Sequence, residues 1–273
     1  MKLNLKKKVV FSIVFSLSII LIILLLSIVM DSSKLNTNYE IRSLAPSFTH
    51  IFGTDWMGRD MLLRTVKGLQ FSLMVGLLGA FLGVGIAIIL GVISALGSEK
   101  VDSAILWTID LFIGMPHLIF MILISFAVGK GAKGVVIATA LTHWPALARL
   151  IRNEVLHLKN MEYINLSHNL GKSNWFVVRN HILLIIFPQI LVGFLLLFPH
   201  VILHEASMTF LGFGLSAQTP SIGIILSEAV KHISLGDWWL VFFPGTSLVL
   251  LVKSFDNIGE SLRMYVDPQM RYI

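Results

Sequence analysis

Apolar stretches long enough to cross a membrane alternate with shorter polar segments along this chain of 273 residues. The first stretch, residues 9–30, carries no charged side chain. As a helix rising about 1.5 Å per residue it reaches about 33 Å, which exceeds a hydrocarbon core of about 30 Å. Five similar stretches predict the remaining spans: 71–96, 103–128, 134–150, 182–203 and 238–255. Because alternating apolar and polar strands of about ten residues are absent, the pattern predicts an all-α polytopic membrane protein with six transmembrane helices.

The distribution of Lys and Arg predicts the orientation of these helices. An even number of spans puts both termini on one side of the membrane, and the cytoplasmic side is the one richer in basic residues. That rule places the N- and C-termini in the cytoplasm, because the segments on their side hold more Lys and Arg than the others. The predicted cytoplasmic segments are 1–8, 151–181 and 264–273, and the predicted extracytoplasmic segments are 31–70 and 204–237.

The composition excludes several classes of function. Hydrophobic residues make up 56% of the chain and charged residues 13%, against about 25% charged residues in soluble domains. These charges are too few to give a soluble enzyme of this size a hydrated surface. The lack of cysteine excludes disulfides, zinc–thiolate sites, iron–sulfur clusters and a cysteine nucleophile. The net charge of +6 is modest and forms no basic patch, so no nucleic-acid partner is predicted.

The predicted cytoplasmic loop, residues 151–181, has the pattern of a helical element. Apolar residues recur at helical spacing up to Leu170, so the loop is predicted to be helical and amphipathic. Gly171 stands where a left-handed C-cap would end the helix, and Ser173 is a suitable N-cap for a second helix. The pattern predicts a short, rigid element below the membrane. The alternative is an amphipathic helix lying on the bilayer surface.

This loop carries a recognisable series of residues: Glu162, Tyr163, Leu170, Gly171, Trp175, Arg179, His181, Ile182 and Leu183. The series resembles the EAA loop of binding-protein-dependent ABC importer permeases in the dipeptide, oligopeptide and nickel group. The Glu-Ala-Ala-like triplet of that group is replaced here by Asn165, Leu166 and Ser167, and the proline expected after His-Ile-Leu is absent. The loop therefore keeps the flanks of the motif and changes its centre.

Three further stretches resemble the same group, in the same order along the chain. The first resembles the G-T-D-x-x-G-R-D signature through six residues: Gly53, Thr54, Asp55, Gly58, Arg59 and Asp60. The second, residues 205–214, resembles E-A-S-L-S-F-L-G-L-G and includes Glu205, Phe210, Leu211 and Gly212. The third, similar to the closing L-R-D-x-L-D-P, is Leu262–Arg263 followed by Asp267–Pro268.

The resemblance implies a type I ABC importer permease fold over residues 71–263, in the inner (cytoplasmic) membrane of the cell. It implies as partners a second, non-identical permease subunit, two ATP-binding subunits and an extracytoplasmic solute-binding protein. The chain is predicted to be no enzyme and to bind no cofactor. Gly171-Lys172-Ser173 resembles the end of a P-loop, but the glycine that a P-loop needs upstream is replaced by Leu166. ATP and Mg²⁺ would be used by the partner. The residues predicted to couple the chain to that ATPase are Glu162, Tyr163, Asn165, Leu166, Ser167, Leu170, Gly171 and Arg179.

Histidines suggest what the permease carries. His200 and His204 are four residues apart in the fifth predicted span and would share one helix face, while His143 and His117 lie in the fourth and third. Neutral imidazole is a good ligand for nickel or zinc, although a histidine within a membrane also serves to hydrogen-bond a neighbouring helix. His143-Trp144 and the H-x-x-x-H pair resemble features of nickel-importing permeases. The favoured solute is therefore nickel, free or chelated, with His143, His200 and His204 as candidate contacts; peptides or metal–metallophore complexes are the alternatives.

Two other classes fit the residues less well. A channel would need neither an ATPase partner nor a coupling loop. An intramembrane serine protease would need a motif such as G-x-S-G, but Gly245-Thr246-Ser247 is followed by Leu248. The glycines of the second span, which include Gly79 and Gly83, predict close helix packing, either within the chain or against another subunit.

Overall fold

The computed structural model describes residues 2–30, 35–215 and 220–266. Within these ranges the chain consists of helices, turns and one isolated β-bridge between Thr54 and Asp60. The α-helices are α1 (Lys2–Val29), α2 (Met61–Leu96), α3 (Glu99–Gly114), α4 (His117–Val128), α5 (Gly131–Lys159), α6 (Glu162–Asn169), α7 (Asn174–Val177), α8 (Leu183–Phe210), α9 (Ile222–Val230) and α10 (Trp239–Val266). A π-helical turn, Val178–Ile182, joins α7 to α8. The predicted motif residues Asp267–Pro268 lie outside the described residues.

The predicted all-α polytopic class is confirmed. Among the described residues, five helical segments are long and apolar enough to cross a membrane, and α3 with α4 adds a sixth if the two form one bent span. The five segments are Val9–Val29, Met61–Leu96, Gly131–Lys159, Asn174–Phe210 and Trp239–Val266.

Several helices continue beyond the apolar stretches that predicted them. α2 begins at Met61 rather than at residue 71, because the Asp60 side chain accepts a hydrogen bond from the Leu63 amide and caps the helix there. α5 continues past residue 150 to Lys159, so the first part of the predicted cytoplasmic loop belongs to it. Hydropathy marks the part of a helix that suits lipid, whereas capping residues and packing set where the helix ends.

The predicted third span, residues 103–128, differs from the structure because it is broken. α3 ends at Gly114, α4 begins at His117, and their axes are bent by 103°. The physical reason is Pro116, whose ring excludes the preceding residue from the helical region. Met115 accordingly has extended backbone angles, with φ −85° and ψ 145°.

The centre of the fold is the contact between α2 and α5, where small residues allow the two backbones to approach closely. A Cβ atom built on Gly79 would lie 2.1 Å from Oγ1 of Thr139, and one built on Gly91 would lie 2.7 Å from the carbonyl oxygen of Ala148. Lipid provides no hydrophobic drive between helices, so close packing of this kind is what holds them together. The glycines of the second span therefore act, at these positions, in packing within the chain.

Around this pair, α8 packs against α2 and α5, and α10 packs against α8. One apolar cluster lies toward the α6 end of the bundle and includes Trp144, Ile151 and Ile186. Another lies toward the α9 end and includes Phe198 and Trp239. α1 contacts α10 and α2 and leaves most of its apolar side chains exposed, as expected for a helix that faces lipid.

Candidate functional site

The helical element after α5 has the form that the sequence predicts. α6 ends before Gly171, which has φ +78°, a backbone conformation that favours glycine. The Ser173 side chain then accepts a hydrogen bond from the Phe176 amide and caps α7. Both local predictions, the glycine break and the serine cap, are confirmed.

α6 is attached to the bundle by one face and leaves the other uncovered. Ile164 is buried and packs in the same apolar cluster as Val178 and Ile182. On the other side Leu166 and Leu170 are 59% and 71% exposed. The remaining predicted coupling residues lie along the same segment: Glu162, Tyr163, Asn165, Gly171 and Arg179 are exposed, and Ser167 is half-buried within hydrogen-bond distance of His181. The result is a short helix that is anchored by Ile164 and exposes Leu166, with Leu170 exposed directly after its end.

At the opposite end of the bundle, the G-T-D-x-x-G-R-D residues form a network of ion pairs. The buried Asp55 carboxylate accepts hydrogen bonds from Nε of Arg59 and Nη1 of Arg64, each at 2.7 Å. Arg64 also donates to Glu228 in α9 at 2.7 Å, and Trp56 stacks on His232 just beyond that helix. These contacts tie the start of α2 to α9.

The other residues of this motif shape the backbone. Gly53 and Gly58 both have φ +72°, and a Cβ atom on Gly58 would lie 1.7 Å from the carbonyl oxygen of Asn38. The Thr54 hydroxyl donates to the Ile41 carbonyl oxygen at 2.5 Å, and the Thr54 carbonyl accepts from the Trp239 indole. Asp60 caps α2. The motif therefore fixes the segment that precedes α2 on the bundle.

Residues 205–214 end α8 and seat α9 on it. Glu205 is fully buried, and one of its carboxylate oxygens accepts a hydrogen bond from the Thr209 hydroxyl at 3.0 Å. Gly212 has φ +84° in the turn after Phe210 and Leu211.

Three histidines meet where α4, α5 and α8 converge. Nε2 of His143 lies 3.4 Å from Nε2 of His117 and 3.0 Å from Nδ1 of His204. One nitrogen from each ring lies within 4.8 Å of the other two. His143 is buried and its two neighbours are half-buried. The elements that bring them together are the middle of α5, the C-terminal part of α8 and the first residue of α4. The break at Pro116 directs that residue toward the other two helices.

The predicted histidine set is only partly brought together. His143 and His204 are in contact, whereas His200 is exposed and is not part of the cluster. His117 takes the place that was predicted for His200. The sequence places His117 directly after Pro116 in an apolar span, but its separation of 26 residues from His143 gives no indication of contact.

Comparisons with known proteins indicate the family to which the chain belongs. The family model described as "Binding-protein-dependent transport system inner membrane component" matches residues 83–272. The dipeptide transport system permease protein DppC of Bacillus subtilis is 33% identical over 230 residues, which cover 84% of this chain and 72% of that protein. The oligopeptide transport system permease protein OppC of the same organism is 33% identical over 86% of this chain and 77% of its own length. A DppC from Alkalihalophilus pseudofirmus is 32% identical over 99% of this chain and 88% of its own length.

Solved structures show the same fold. An inward-facing structure of the MetNI methionine ABC transporter matches with a TM-score of 0.58 over 76% of this chain and 98% of that chain, at 19% sequence identity. A second crystal form of the same transporter gives a TM-score of 0.59. The type I ABC importer permease fold is thereby confirmed.

Proposed function

Because the chain belongs to the family of binding-protein-dependent transport system inner membrane components, we propose that it forms one half of the import pathway for short peptides. It is a multi-pass permease subunit of an ABC importer in the inner membrane. The observation that carries the peptide assignment is similarity to dipeptide and oligopeptide permeases over most of the chain. This favours the peptide alternative over nickel, which none of these relatives' names mentions.

The energy for import comes, in this proposal, from a separate ATPase that docks on α6. A helix with an uncovered apolar face suits insertion into a groove of a partner, which is a recurrent mode of recognition. Leu166 and Leu170 supply that face, and the buried Ile164 transmits movement of α6 to the cluster that contains α5 and α8. A displaced α6 would therefore shift the membrane helices as a rigid body.

A charge placed on the docking face tests this mechanism. Leu166→Glu should lower peptide-stimulated ATP hydrolysis of the reconstituted importer at least about tenfold, because a desolvated anchor of an interface contributes about 2 kcal/mol or more. The matched control is Leu166→Met, which keeps an apolar side chain of similar volume at the same 59% exposed position. The control should hydrolyse ATP as the unaltered complex does. Equal hydrolysis by both variants would remove α6 as the docking element.

The remaining partners in the proposal are a second, non-identical permease subunit, a pair of ATP-binding subunits and an extracytoplasmic solute-binding protein. The solute-binding protein would rest on the α9 end of the bundle, where Arg64 ties α9 to the start of α2. Purification of the intact complex and identification of its subunits by mass spectrometry would test this composition. Isolation of an active importer without any ATP-binding subunit would contradict it.

Nickel is retained as a second candidate solute because the structure clusters His117, His143 and His204. Uptake by cells that make the whole importer separates the two solutes. Deletion of this chain should abolish accumulation of a radiolabelled dipeptide and leave that of radioactive nickel unchanged if peptides are the solute. Loss of nickel uptake alone would reverse the assignment.

A further inference from the structure

The histidine cluster joins three helices at the break in the third span. His117 is the first residue of α4, His143 lies in the interior of α5, and His204 lies in the last two turns of α8. Pro116 places His117 at its position, because the break that the proline imposes turns α4 away from α3. Broken helices in membrane transporters typically border the path of the solute or ion, since backbone irregularity is tolerated only in protein-lined cavities.

The hydrogen bonds of His143 define which of its nitrogens is available. Its Nδ1 lies 2.9 Å from the carbonyl oxygen of Thr139, an atom that can only accept, so Nδ1 carries the proton and donates. In the neutral ring Nε2 is then bare and presents one lone pair. A histidine oriented by a backbone carbonyl through one nitrogen, with the other bare, is the usual arrangement of a metal ligand.

Hydrogen bonding among the three rings cannot satisfy this lone pair and both of its neighbours. Nε2 of His143 faces His204 at 3.0 Å and His117 at 3.4 Å. If Nδ1 of His204 donates a hydrogen bond to Nε2 of His143, Nε2 of His117 has two alternatives. It competes as a second donor for the same lone pair, or it directs its own lone pair at Nε2 of His143. The three rings are therefore held close together, and their inward-facing nitrogen atoms outnumber those that hydrogen bonds among the rings can satisfy.

We propose that His117, His143 and His204 bind a divalent transition-metal ion such as nickel, cobalt, zinc or copper. Three neutral imidazoles suit these ions, whereas calcium and magnesium require oxygen ligands. For metal–nitrogen bonds of about 2.0–2.1 Å, tetrahedral geometry puts neighbouring ligand nitrogens about 3.4 Å apart. Two separations in the cluster, 3.4 Å and 3.0 Å, are already near that value, and the nitrogens all lie within 4.8 Å. Closing the third separation from at most 4.8 Å to this value requires one ring to move by no more than about 1.4 Å.

The site is built to release its ion. Neither a thiolate nor a carboxylate contributes to the cluster among the described residues, so the charge of the ion is not neutralised. The N-terminus of α4 at His117 carries a partial positive charge that also opposes a cation. At least one coordination position remains for water or for a donor atom of a chelating solute. Weak, incomplete coordination is expected of a site through which an ion passes. The proposal therefore deepens metal import, the second candidate function, and it rests on the chain being a permease.

Metal binding can be measured without transport. The purified importer complex, carrying an affinity tag without histidine, is titrated with Ni²⁺ in detergent by calorimetry, and the number of bound imidazoles is read from X-ray absorption at the nickel edge. One nickel with about three imidazole ligands is expected. His117→Ala and His143→Ala should each weaken binding at least about tenfold, since the loss of even an outer-shell partner costs about 10–100-fold.

His200→Ala is the matched control, because His200 lies one turn from His204 on α8 and is exposed outside the cluster. It should bind nickel as the unaltered complex does. His143→Ala removes a buried side chain, and this variant can fail to fold. In that case His117→Ala, at a half-buried position, tests whether the histidine cluster binds nickel. Absence of nickel binding, or dependence on His200 rather than His117, would overturn the site and leave peptide import intact. Peptide uptake that fails while nickel still binds would overturn the proposed function and leave the site intact.

Discussion

The close approach of α2 and α5 makes a quantitative prediction about two glycines on the same helix. A Cβ atom on Gly91 would lie 2.7 Å from the backbone carbonyl oxygen of Ala148, while one on Gly85 would meet nothing within 4 Å. The Ala148 oxygen cannot rotate away as a side chain would. Because ordinary contact begins at 3.4 Å, Gly91→Ala forces the helices apart by about 0.7 Å along a densely packed seam.

The energetic consequence follows from comparing the two alanine variants. Both gain about 1 kcal/mol from the better helix propensity of alanine, so this contribution cancels. Overpacking typically costs about 1–3 kcal/mol, and Gly91→Ala should therefore be less stable than Gly85→Ala by about that amount. Because the hydrophobic effect does not drive helices together in lipid, no other contribution compensates for lost packing between α2 and α5.

Thermal unfolding of the purified complex in detergent, followed by tryptophan fluorescence, measures the difference. The apparent melting temperature of Gly91→Ala should lie roughly 3–8 °C below that of Gly85→Ala. Gly85→Ala should itself equal or exceed the unaltered protein. If the two variants melted together, the carbonyl of Ala148 would not restrict Gly91, and the account of this helix seam would be wrong.

Three further perturbations test the ends of the bundle. Arg64→Gln removes the hydrogen bonds from Arg64 to the buried Asp55 and to Glu228 and leaves Arg59 as the cation between these two carboxylates. The substitution should destabilise the complex by about 2–4 kcal/mol, with faster proteolysis around α9. Unchanged proteolysis would contradict the network. Arg152→Gln removes both hydrogen bonds to Asp102. Because this ion pair is partly exposed, the free energy of unfolding should fall by only about 1 kcal/mol, measured by thermal unfolding. A larger decrease in stability would indicate another role for Arg152. Gly58→Ala places a methyl group at φ +72° against the backbone of Asn38. This strain costs at least about 1 kcal/mol of stability, so cleavage by protease within residues 35–60 should accelerate. Cleavage at the original rate would refute the constraint.

Local and compositional features were predictable from sequence because each depends on few residues. A backbone in lipid must satisfy its own hydrogen bonds, so long uncharged stretches become helices whatever surrounds them. The glycine break at Gly171 and the cap at Ser173 are likewise set within one turn of chain. The order of four motifs was sufficient to indicate the family, although its solute was predicted as nickel where the relatives are peptide permeases.

Contacts between distant segments could not be predicted in the same way. The amino-acid sequence by itself determined that the chain spans the membrane as helices, and it places a proline, Pro116, where it can disturb one of them. Only the tertiary structure decided that this disturbance is a bend of 103° that places His117 beside His143 and His204, with His200 left outside. Helical periodicity relates residues within one helix, whereas the rotation of each helix about its axis is determined by packing against its neighbours. For this reason the histidine pair that shared a face in sequence is not the set that shares a site.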